Sequence, residues 1–142
     1  MAVAAFTRHT PRVSNDISGI KVLGFSKTES FRHGSIAIGK EALLKMVAQY
    51  HFTADITEDA DAFTEENLKK YTVVLFLNTT EDVLNPRQQA DFERYIQAGG
   101  GYAGVHAATD TEHDWPWYGR LVGGFFIDHP ADPNEQEKAH LL

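Results

Sequence analysis

The stretch Tyr71–His106, YTVVLFLNTTEDVLNPRQQADFERYIQAGGGYAGVH, decides the fold. Its opening, Tyr71–Leu77 (YTVVLFL), is apolar almost throughout, the pattern of a strand covered on both faces. Asn85-Pro86-Arg87-Gln88 then supplies a cap residue, a proline at the first helical position and a glutamine at the capping-box position. Phe92 and Ile96 give that helix its buried stripe, and Gly99 can end it in the left-handed conformation. Gly101–His106 (GYAGVH) follows as a second strand.

The same alternation extends in both directions. Upstream, Ile20–Phe25 reads as a strand and Ser26–Gly34 as its loop, longer than the roughly 2–6 residues usual for such a connection. Ser35 caps a helix with Ile36, Leu43, Val47 and Tyr50 on one face. Phe52–Ile56 alternates, as expected of a strand near a sheet edge, and Thr64 caps a short helix with Glu65 and Glu66 in its first turn. Downstream, Ala107–Asp114 is a loop, Trp115–Val122 a helix and Phe125–Ile127 a short extended piece. Strands and helices thus alternate, which predicts a mostly parallel sheet with helices on both sides. Met1–Gly19 reads as a polar arm and residues 20–142 as one α/β domain. Lys138–Leu142 (KAHLL) resembles the opening of another strand, so the sequence reads as a fragment that stops mid-sheet.

With 142 residues, 42% hydrophobic and 23% charged, the chain has the composition of a globular domain. Thirteen Lys and Arg against 20 Asp and Glu leave a net charge of −7, which argues against nucleic acid as a partner. No apolar run reaches the roughly 20 residues that span a bilayer, and Met1–Thr10 has no signal-peptide core. As given, the chain reads as cytoplasmic, a removed leader being the route to a periplasmic or secreted protein. There is no cysteine, hence no disulfide, no thiolate ligand and no thiol nucleophile.

Open parallel sheets bind ligands beyond the carboxyl ends of their strands. Four of the seven histidines fall at such places: His33, His106, His113 and His129. Histidine suits proton transfer near neutral pH and metal ligation alike. A metal shared by His33, His106 and His129 has no HxH or HExxH spacing behind it, so no metal and no cofactor is assigned. The glycine-rich run into His106 resembles a nucleophile elbow in which an imidazole replaces serine or cysteine, favouring acid–base or ligand duty. The plainer alternative is a helix stop followed by a strand end. Thr109 and Asp110 suit either a sugar hydroxyl or ordinary turn chemistry. Trp115, Trp117 and Tyr118 offer faces for sugar stacking or, more commonly, core packing. Asn78 and Thr79 lie at the end of the central strand, in what is otherwise an acidic turn.

VLGFSKTESFRHGS, YTVVLFLNTTED, QQADFERYIQAGGGYAGVHAATDT and YGRLVGGFFIDHP, in this order and spacing, resemble the ThuA-like (trehalose utilisation) family from about Lys21 to about Pro130. The resemblance implies a three-layer, flavodoxin-like sheet of the class I glutamine amidotransferase kind, with His106 at the position of the catalytic cysteine. It also implies a place in bacterial metabolism of disaccharides, notably trehalose and its keto forms. The expected function is acid–base chemistry on a small-molecule carbohydrate, a keto-disaccharide or related glycoside. His106 is the expected catalytic centre, with His33, Asp110 and His129 around it; Thr109, Trp115, Asn78 and Thr79 are the expected substrate contacts. The competing expectation is a non-catalytic carbohydrate-binding or interaction module of a larger protein. Oligomeric state is left open, a homo-oligomer included.

Overall fold

A computed structural model describes residues 17–129, so most of the expected arm and the Lys138–Leu142 segment lie outside the described residues. Four strands, β1 (Lys21–Phe25), β2 (Thr53–Thr57), β3 (Val73–Leu77) and β4 (Gly101–Val105), form one parallel sheet in the order β2-β1-β3-β4. The register pairs Phe25 with Phe76 and Leu77 with Val105, so β1, β3 and β4 end near the same level. β2 lies at an edge, as its alternating sequence predicts.

Side chains alternate across the sheet. Leu23, Phe25, Val74 and Phe76 face a continuous core with Phe63, Leu68, Phe92 and Tyr118, contributed by the segments around helices α2 (Glu65–Leu68), α3 (Pro86–Gln97) and α4 (Pro116–Val122). Phe76 and Phe92 stack with ring centroids 5.6 Å apart, and Phe63 meets both edge-on. The opposite face is covered by α1 (Ser35–Tyr50) through Ile36 and Leu43. With one helix on that side among the described residues, Val73 and Leu75 of β3 are half-buried rather than covered on both faces, and Val105 of β4 is exposed.

Local signals account for most boundaries. The α3 capping box is formed: Asn85 accepts from the Arg87 and Gln88 amides, and the Gln88 side chain accepts from the Asn85 amide. Thr64 caps α2 through the Asn67 amide. Gly99 takes a φ of 98°, the left-handed value expected of it. Three expectations need correction. Ser35 is the first helical residue rather than a cap, because the chain at Gly34 is already helical and no side-chain cap bond forms. Tyr50 is half exposed at the end of α1, where the helix has run past the sheet. The buried side of α3 is Gln88, Asp91, Phe92 and Tyr95, with Ile96 only partly covered. Phe125–Ile127, which belongs to none of the strands, is held to the site by a bond from the Phe126 amide to the Thr109 carbonyl, 2.9 Å.

Candidate functional site

The reversal of strand order puts β1 and β3 side by side with their connections leaving in opposite directions, where parallel sheets open a crevice. Beside it lies a cleft of about 500 Å³ lined by Phe31, His33, His106, Ala107, Thr109, Asp110, Phe126 and His129. Phe31 and His33 come from the loop after β1, His106 to Asp110 from the turn after β4.

Both segments are tied down. In the β1 loop, Thr28 bridges Thr80, the Glu29 amide donates to the Thr80 carbonyl and the Thr80 hydroxyl donates to the Phe31 carbonyl. Arg32, between Phe31 and His33, forks onto both oxygens of Glu58 at 3.0 and 2.7 Å, and Lys40 of α1 reaches the same carboxylate. These cations hold the Glu58 carboxyl down at about 2.

His106 leaves β4 with a φ of 50° and begins a 3₁₀ turn, His106–Thr109. Few non-glycine residues take that conformation, and it costs free energy that the surroundings must offset. Here Gly104 allows the turn to fold back: a Cβ at that position would stand 2.9 Å from the Tyr102 hydroxyl and 3.0 Å from the Ala108 Cβ. The buried Tyr118 hydroxyl secures the turn by donating to the Ala108 carbonyl at 2.7 Å. The result is an elbow that leaves His106 exposed at the cleft.

The rings of His33 and His106 meet edge to face, centroids 4.5 Å apart. Burial, chiefly, and the neighbouring His106 push the His33 ring below its ordinary value, with Asp110 opposing. The uncharged form of the His33 ring, the form that can accept a proton, is favoured by this environment. Asp110 accepts a bond from His113 Nε2 at 3.0 Å, and its carbonyl accepts from the Glu81 amide. His129, at the far side, packs near the Phe126 ring at 5.8 Å. Among the described residues, no group of three or more His, Asp or Glu is disposed to hold a metal ion.

The model of the ThuA, or trehalose utilisation, family matches residues 21–141, the β1 loop and the His106 elbow included. The chain belongs to this family. Among solved structures the chain is similar to a ThuA-like protein of Bacteroides uniformis, with 27% identity and a TM-score of 0.62. The match covers 84% of this chain and 48% of that one, so this chain spans about half the length of that ThuA-like protein. No curated protein matches the sequence.

Of the expected site residues, the fold brings together His33, His106, Thr109, Asp110 and His129. It does not bring the other three. Thr79 is fully buried and shares a 2.8 Å hydrogen bond with Thr111, which braces the turn after β3. Asn78 is buried, in a left-handed conformation, with its side-chain amide turned to Ser35. Trp115 stacks on Trp117 and packs against Phe92 in the core, as the commoner reading of that cluster has it. Sequence reasoning missed Phe31 and Phe126 as cleft walls. The one available signal was a large apolar residue inside an otherwise polar strand-end loop.

Proposed function

We propose that this chain acts on a keto-disaccharide or a related glycoside by moving a proton beside the carbonyl. The contact between His33 and His106 at the mouth of a strand-end cleft carries the reading. In the proposed step, the neutral His33 ring takes the proton from the carbon next to the keto group. The electron pair of that C–H bond forms a C=C bond, and the carbonyl oxygen takes a proton from His106, giving an enediol. Asp110 and Thr109 lie where substrate hydroxyls can be held. Trehalose utilisation, the description of the family, supports a disaccharide as the substrate class.

Turnover of a keto form of trehalose tests the reading. General acid–base groups contribute roughly 10²–10⁴-fold, so His106→Ala and His33→Ala should each lower turnover by that order. Both side chains are at least partly exposed, so neither change should unfold the protein. Undiminished turnover in His106→Ala contradicts the assignment. Sugar binding without turnover, constant between about pH 5 and 8, would instead make the chain a carbohydrate-binding module.

A further inference from the structure

We infer that the cleft seats an uncharged sugar ring on the faces of Phe31 and Phe126 and turns away phosphorylated sugars. This rests on the proposed function and names the substrate class of the same site.

Two observations combine. Phe31 is 66% exposed and Phe126 38%, yet the backbone of each is fixed. The Phe31 carbonyl accepts from Thr80, and the Phe126 amide donates to Thr109, which itself lines the cleft. Phe31 also stands edge-on to His33 at 4.8 Å, so its ring is held beside the reactive imidazoles. Large apolar rings fixed at a cleft mouth present flat surfaces that gain by being covered. A pyranose offers the matching shape: C–H bonds on one face for the phenyl rings, and hydroxyls at its edge for Thr109, Asp110 and the histidines.

Charge completes the selection. Among the described residues, the cleft lining contains no Lys or Arg, and Asp110 is its one carboxylate. The cation nearest in sequence, Arg32, is engaged by Glu58, as is Lys40, while Lys27 pairs with Glu29. Burial and His106 both lower the affinity of the His33 ring for a proton. Among the described residues, a phosphate group entering here would meet a carboxylate and no lysine or arginine, in a chain of net charge −7.

Calorimetric titration of the 142-residue chain with a keto form of trehalose, and with the same sugar carrying a 6-phosphate, tests both halves. The neutral sugar should bind, and the phosphorylated one should bind at least about tenfold more weakly. Phe31→Ala and Phe126→Ala should each weaken binding of the neutral sugar by about five- to tenfold, and Phe31→Trp should restore it. Equal affinity of wild type and both alanine variants, or equal affinity for the phosphorylated sugar, overturns this inference and leaves the proposed function standing. If the wild-type chain binds neither sugar, the proposed function fails and takes the inference with it.

Discussion

His33 and His106 reach each other from opposite halves of the chain, and burial first, then the neighbouring His106, lowers the affinity of the His33 ring for a proton. The causes acting on His33 have definite signs: burial and His106 lower its affinity for a proton, and Asp110 raises it. Its NMR titration should therefore fall below the ordinary imidazole value. In His106→Ala the midpoint should rise, and in Asp110→Asn it should fall further. Opposite movements would mean that the two rings do not sense each other. At this scale the sequence was informative only where residue type itself limits chemistry. Histidines at strand ends stood out because few side chains titrate near neutrality. Asn78 and Thr79 also occupy a strand end, but their polarity serves the turn: one bonds Ser35 and the other Thr111. A letter code does not distinguish a hydroxyl that braces from one that binds.

At the scale of elements, the elbow depends on Gly104 and the β1 loop on Glu58. Gly104→Val would push a branched side chain into the Tyr102 hydroxyl and Ala108. It should cost about 1–3 kcal/mol of stability, measured by urea denaturation, and should also shift the His106 ring signals. Glu58 holds Arg32 and Lys40 together, with a carboxyl lowered from 4.5 to about 2. A depressed carboxyl contributes stability that is complete above its unfolded value and is lost as pH falls from 4.5 through about 2. All three partners are partly exposed, so the contribution is small and screened by salt. Glu58→Gln should accordingly leave the unfolding midpoint nearly unchanged while increasing proteolysis in the loop Ser26–Gly34. The capping box of α3, the Thr64 cap and the left-handed Gly99 were legible because each is a local event whose partners lie within four residues. The start of α1 was not, because Gly34 enters the helix without a side-chain cap. Nor was the role of Phe126, whose position is set by a bond to Thr109 on a separate segment.

For the molecule as a whole, the succession of strands and helices along the chain, the parallel sheet it implies and the apolar run of β3 were visible in the sequence, whereas the order of the strands within the sheet came from the structure. What the alternation did not show is the buried polar framework beneath the candidate site. Glu112, fully buried with a φ of 58°, accepts from the Leu84 amide at 2.7 Å and from the Gln89 side chain. It ties the site turn to the segment before α3. Burial is the main cause raising its carboxyl above 4.5, against the hydrogen bonds from Gln89 and Leu84. A raised carboxyl contributes stability that is full below the unfolded value and is lost as pH rises through the folded one. Glu112→Gln should therefore flatten the stability profile above pH 4.5 relative to wild type. Glu112→Ala should cost about 1–3 kcal/mol by leaving the Leu84 amide unpaired. Chemical denaturation at several pH values reads both effects. The proposed function requires the paired imidazoles to move a proton at carbon. Incubation of the protein with a keto form of trehalose in D₂O, followed by proton NMR, measures that transfer without depending on any later step. Deuterium should enter at the carbon beside the carbonyl with wild type and be suppressed in both His33→Ala and His106→Ala. Incorporation at the same rate in wild type and both variants, or no enzyme-dependent incorporation at all, would contradict it.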